Sequence, residues 1–489
     1  MMPLRPHEYR ELLRDALPIA QDADTSFEPK PESLFTPEGH RIALDPDVTV
    51  VRGARGVGKT VWFKALQDET LRRLAADEYQ FKRLNKIKAL PGYGLNLNPE
   101  SYPSQRVLNS LLAASCQPED IWTTVVLNAL GAEPVRSMGS WDARVAWLRD
   151  NPEAVDQALS RANQQAAEEG VTKLLLFDAL ERLHPERRQA DRLVVGILKL
   201  ALELRTTTSH LRAKVFIRHD MFDDALLNFP DASKLSANAT SLTWSPTNLY
   251  GLLFNVLGNS AHPSAEHFRS STGRWRHDLG RYVPPREIVG DQDEQKKLIS
   301  QIAGPYMGKD HRKGHTYTWL PNHLADGQGQ VSPRSFLIAL SAATEETGDR
   351  FAHHEFALHW DAIRKGVQLA SQTRVNEISE DIPWVRTAIH PLRDCQVPIE
   401  KDEVVAKWTA EGLSARLVEA AHEISDEKQL PTGPRHEDYA GLIQELMDLG
   451  VMTQRANGKL DLPDVYRIAF GIGRKGGVPR LRPQRSGSP

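Results

Sequence analysis

The spacing of apolar and polar positions switches between two periods along this chain. Val48-Thr49-Val50-Val51 is a β-branched run introduced by an Asp-Pro-Asp turn signal, followed by a glycine-rich stretch and then Thr60-Val61-Trp62-Phe63-Lys64-Ala65-Leu66. That order predicts strand, loop, helix. A second strand is expected at 87–90, closed by Pro91-Gly92, and a helical pattern fills 105–169 before a stop at Gly170. Lys173-Leu174-Leu175-Leu176-Phe177-Asp178 is a short unbroken apolar run, as expected for a strand buried on both faces of a parallel sheet. A helix is predicted over 190–204, with strands at Val215-Phe216-Ile217 and Ser241-Leu242-Thr243-Trp244. Parallel neighbours need crossover connections, so strands alternating with helices call for an α/β parallel sheet.

After Pro246 the pattern becomes mostly helical, with a connection rich in Gly, His and Asp over 304–315. Beyond a second proline boundary at 391–398, helices are expected at 400–412, 415–424 and 439–449. An Asn457-Gly458 turn follows between two short extended runs, a hairpin signal. Three helices and a hairpin predict a winged helix. The domain plan is therefore an N-terminal extension (1–40), an α/β core (41–245) with a helical insertion near 100–169, a helical lid (246–395), a winged-helix-like domain (396–473) and a basic tail (474–489). The tail and its lead-in carry Arg474, Lys475, Arg480, Arg482 and Arg485 and no acidic residue.

Composition narrows the class. Lys+Arg 61 against Asp+Glu 64 gives a net charge of -3, so any nucleic-acid contact has to come from a local patch. Cys116 and Cys395 lack ligand or CxxC spacing and suit a reducing cytoplasm. No apolar run approaches the roughly 20 residues of a membrane helix, and the start has no signal-peptide core, so a soluble cytoplasmic protein without membrane contact is expected. His354 and His359, read on a helix, stand five residues and about 140° apart, which argues against a metal pair.

The chemistry concentrates at Gly53-Ala54-Arg55-Gly56-Val57-Gly58-Lys59-Thr60, which matches G-x-x-x-x-G-K-[ST] between a predicted strand and a predicted helix. Backbone N–H groups of such a loop wrap phosphates and the following helix aims its positive end at them. Lys59 is then the phosphate cation and Thr60 a Mg²⁺ ligand, which makes ATP and Mg²⁺ the expected ligands. Asp178, at the carboxyl end of its strand, is the second metal residue, and Glu181 is the candidate for orienting the attacking water. Arg218 follows the 215–217 strand and reads either as a γ-phosphate sensor or as one side of an ion-paired turn with Asp220. Arg334, in Ser332-Pro333-Arg334 at a helix start, reads either as a basic residue closing over nucleotide or as a solvated helix-start arginine.

This order of elements resembles the AAA+ and STAND-type P-loop ATPases. Phe177-Asp178-Ala179-Leu180-Glu181-Arg182-Leu183, Phe216-Ile217-Arg218-His219-Asp220, Ser332-Pro333-Arg334, Asp461-Leu462-Pro463-Asp464-Val465-Tyr466 and Gly473-Arg474-Lys475-Gly476-Gly477 are similar to a bacterial group of single-chain P-loop ATPases associated with defence against phage. The resemblance spans roughly 30–478. It implies an ATP-driven switch with Arg218 as first sensor and Arg334 as second, acting with a protein partner or effector subunit or by self-association. Glu181 stands where an aspartate is often found, and 119 residues separate Lys59 from Asp178, which implies the large helical insertion. The alternative is a DNA-binding ATPase that uses the winged helix and basic tail in replication, transposition or transcription control.

Overall fold

The structure, a computed structural model, describes residues 3–17, 28–226, 232–423, 434 and 438–474. The expected tail from Lys475 onward lies outside the described residues, as does part of the N-terminal loop. The chain divides into two compact units, one spanning 28–243, the other holding the described residues from 244 onward together with the N-terminal helix Pro6–Ala16.

In the first unit, β1 (Val50–Arg52), β2 (Ile87–Tyr93), β3 (Thr172–Phe177), β4 (Leu211–Ile217) and β5 (Ala239–Ser241) form one parallel sheet in the order β2-β3-β4-β1-β5. This is the α/β P-loop sheet read from the sequence. Leu174, Leu175, Leu176 and Phe177 have no exposed surface, because helices cover both faces of β3. The stretch between β2 and β3 holds four helices, Gln105–Ala113, Pro118–Ala129, Trp141–Asp150 and Pro152–Glu168.

One boundary differs from expectation. β2 does not stop at Pro91-Gly92 but continues to Tyr93, with Pro91 opposite Leu176. β2 is an edge strand, so the donor that proline lacks is not needed by a second neighbour. Gly92 is required there, since a Cβ would lie 2.6 Å from the Phe177 ring.

Among its described residues the second unit is helical with three small sheets. Its centre is the pair Pro333–Arg350 and Trp360–Asp381. Gly366 of the second helix lies directly on the backbone of the first: a Cβ would come within 2.0 Å of the Ala339 carbonyl oxygen. Backbone cannot yield as a side chain can, so Gly366→Ala is expected to destabilise this unit by about 2–3 kcal/mol, read as an earlier unfolding transition in urea. The N-terminal helix is fastened here, with the Arg10 guanidinium donating to the carbonyls of Ala357 and Ala352 and Arg14 paired with Glu345 at 2.9 Å.

The C-terminal part has the order of elements expected for a winged helix. Helices Lys401–Ala410, Leu413–Glu423 and Tyr439–Asp448 precede the antiparallel pair formed by Thr453–Gln454 and Leu460–Asp461. Residues 352–359, in contrast, are not helical. They form the connection leading into Trp360–Asp381, with His359 capping that helix by accepting from the Asp361 N–H at 3.0 Å. The angular argument about His354 and His359 therefore does not apply; the two rings touch edge to face at 4.6 Å.

Candidate functional site

The phosphate loop leaves β1 where the sheet fixes it. Gly53 N donates to Ile217 O across to β4 at 3.1 Å, and a Cβ on Gly53 would strike Val57 at 2.5 Å. Gly56 and Gly58 take φ of 80° and 104°, the left-handed region that side chains avoid, and Gly58 caps the helix Lys59–Gln67. This capping glycine offers no side-chain acceptor to the first N–H groups of that helix. Lys59 Nζ turns back over the loop and donates to the carbonyls of Gly53 and Ala54 at 2.7 and 2.9 Å. Burial pulls its pKa down, opposed by the charges of Glu181 and Asp178.

β4 stands between β1 and β3, so two strand spacings, about 10 Å, separate the backbones that carry Gly53 and Asp178. Side chains close that gap. Asp178 is only 2% exposed, and the Thr60 hydroxyl and the Ala179 N–H lie close enough to its carboxylate to pull its pKa down. Its Oδ2 is buried with no hydrogen-bond partner. Burial, helped by the nearby Glu181 charge, pushes the Asp178 pKa up to about 6 against the opposing Thr60 hydrogen bond and Lys59 charge. Ala179 follows in the left-handed region at φ 58°, a conformation uncommon for alanine, and leads into the short turn Leu180–Arg182 that carries the exposed Glu181.

At the end of β4, Arg218 makes a two-pronged ion pair with Asp220, both contacts at 3.0 Å. The ion-paired turn therefore exists, and the same guanidinium lies near enough to Lys59 to lower its pKa. His219 was not singled out in the sequence. Burial, together with the charges of Arg52 and Lys59, pushes its pKa down to about 4, so the imidazole is neutral beside this cationic edge. Its position directly after Arg218 at a strand end was the available signal.

The loop, Lys59, Thr60, Asp178, Glu181 and Arg218 are thus gathered at one edge of one sheet. Arg334 belongs to the other unit, where it opens the helix Pro333–Arg350 and donates to Glu377 at 2.9 Å. Glu377 also takes Arg374, at 3.3 Å. Among the described residues no cluster of three or more His, Cys, Asp or Glu side chains suited to a metal ion occurs, and no helix is long and apolar enough to cross a membrane.

No family model matches the chain, and no curated protein matches it. Among solved structures it is similar to the ORC2 protein of Aeropyrum pernix in ADPNP-ADP complexes, at 15% identity and a TM-score of 0.38, over 86% of this chain and 84% of that one. The ADP form of the same protein gives 14% identity and 0.33 over 93% of both chains. Cdc6p of Pyrobaculum aerophilum gives 11% and 0.29 over 86% and 83%. At these values the likeness carries no argument, and the fold class rests on the sheet order and the phosphate loop themselves.

Proposed function

We propose that the chain is an ATP-binding and hydrolysing molecular switch that works with a protein partner. The observation that carries this reading is the Thr60–Asp178 pair: a buried carboxylate with one oxygen unused, beside a hydroxyl at the start of the phosphate-loop helix. Two hard oxygen donors at that place fit Mg²⁺. Thr60 and Asp178 would hold the ion, which neutralises phosphate charge when bound. Gly53, Ala54, Arg55, Gly56, Val57 and Gly58 supply the amide cradle, Lys59 the phosphate cation, Arg218 and Arg334 the two sensors, and Glu181 the alignment of the attacking water.

Glu181→Gln keeps the shape of the side chain and removes its charge, so the variant is expected to bind ATP as the native protein does while turnover falls about 10²-fold or more. Phosphate release and ATP titration on the same samples check this. Unchanged turnover would strip Glu181 of its role.

A winged helix serves either DNA or protein. The helix Tyr439–Asp448 contains no Lys or Arg, and the two cations of the hairpin after it are engaged, Arg455 with Asp461 at 2.6 Å and Lys459 with Glu400 at 2.7 Å. Among the described residues, a helix and hairpin so poor in available positive charge favour a protein-docking role over duplex recognition. With the resemblance to bacterial defence ATPases, this supports a cytoplasmic switch whose partner or effector in antiphage defence is a separate protein or a further copy of the chain.

A further inference from the structure

The helical unit carries a small ribbon that the nucleotide reading does not use. β6 (Arg276–Asp278) and β7 (Arg281–Val283) pair antiparallel, with His277 opposite Tyr282. Between positions 269 and 286 stand five arginines, 269, 274, 276, 281 and 286, against one carboxylate, Asp278, in a chain whose net charge is -3. Arg274, Arg276, His277, Tyr282 and Arg286 are exposed.

The ribbon is held rigidly from below. Trp275 lies against Gly258, where a Cβ would fall 2.0 Å from the indole, and its ring N–H donates to Thr272 at 3.0 Å. The Asn259 side chain clamps the backbone of Tyr282, accepting from its N–H and donating to its carbonyl, both at 2.8 Å. The Arg269 guanidinium stacks 3.7 Å from the Tyr282 ring centroid, and His277 meets that ring edge to face at 5.0 Å. The guanidinium thus covers one face of the Tyr282 ring, and the imidazole stands across the ring rather than parallel to it.

The tip adds an independent sign. Leu279 and Gly280 both have positive φ, 46° and 81°, the geometry of a tight two-residue hairpin turn whose first position favours Asn, Asp or Gly. A leucine there is strained and also 38% exposed, so it is paid for twice, in backbone energy and in hydration.

We infer that this hairpin is a contact site for single-stranded nucleic acid, in which Arg274 and Arg286 meet phosphates while an unpaired base packs against the exposed His277 and Tyr282 rings and abuts Leu279; Arg276 is held by Asp278 at 3.1 Å. Exposed rings interleaved with arginines suit unpaired bases, since every base has a π-face and a duplex hides it. An acidic protein would use the charge but has no need of the ring pair.

The test is fluorescence anisotropy of the full chain with labelled oligo(dT), oligo(rU) and a mixed-sequence duplex at two salt concentrations, with circular dichroism on each variant. Native protein is expected to prefer the single strands. Tyr282→Leu is expected to weaken them about tenfold. Arg274→Glu with Arg286→Glu, both at exposed positions, should flatten the dependence of log affinity on log salt by about 1.4. Leu279→Asn relaxes the turn, so it is expected to keep or raise the melting temperature while weakening binding. Absence of single-strand binding at low salt overturns the proposal. So does binding that ignores the arginine reversals, or a duplex preference unaffected by Tyr282→Leu. None of these outcomes depends on ATP.

Discussion

Lys59→Ala is expected to lose ATP binding by about two orders of magnitude or more, because truncating a charged hydrogen-bond donor beside a polyanion costs about 2–5 kcal/mol. Titration with a fluorescent ATP analogue measures it. Lys59 also holds the loop, through Gly53 and Ala54, so the alanine variant loses a local fastening as well as a charge. Lys59→Arg separates the two effects: it keeps the cation but not its reach, and affinity should return only in part. If Lys59→Ala binds ATP within threefold of native, with the protein folded by circular dichroism, the phosphate-loop reading is wrong.

The sheet and its phosphate loop were legible because their signals are local. An unbroken run such as 174–177 has few alternatives to a buried strand, and the glycine spacing of 53–58 states backbone geometry directly. What escaped depends on contacts between distant positions. Nothing in Pro91-Gly92 says that β2 lies at a sheet edge, which is what allows the strand to continue. Leu279-Gly280 is a hairpin turn without the residues that announce one, so β6 and β7 were absorbed into a helical reading. Residues 353–359 read as helix because histidine and glutamate do not forbid it, whereas the structure uses them as a connection.

The C-terminal motif that bears part of the resemblance has a structural explanation. Arg474 spans Asp461 at 2.5 Å and Asp464 at 2.8 Å, Arg467 joins Asp464 at 2.6 Å, and Arg455 completes Asp461. Asp461, Asp464 and Arg467 are all buried, so this network ties the hairpin at 453–461 to Asp464–Arg467 and Arg474 instead of presenting charge outward. Arg474, read as the start of a basic tail, is thereby committed to carboxylates. Burying such a network makes its members mutually dependent, since removing one leaves its partners charged and unmatched.

Asp178→Asn is expected to raise the stability of the nucleotide-free protein while destroying its response to Mg²⁺. Below about pH 3.8, the ordinary value for an aspartate, the carboxyl is protonated whether the chain is folded or not, and its burial carries no electrostatic penalty. As pH rises the unfolded chain ionises first, whereas the folded one holds its proton up to about 6, so stability falls across that window. A gap of roughly two units corresponds to about 3 kcal/mol lost by neutral pH, an upper bound for this group. Asparagine cannot ionise and keeps the acceptor for Thr60, so the variant should match native at pH 4 and melt a few degrees higher at pH 8. Native protein should recover the difference when ATP and Mg²⁺ are added together, through binding linkage, and the variant should not. A variant less stable than native at pH 8 would mean that the neighbouring donors hold the carboxylate as an anion, and the unused oxygen would no longer mark a metal position.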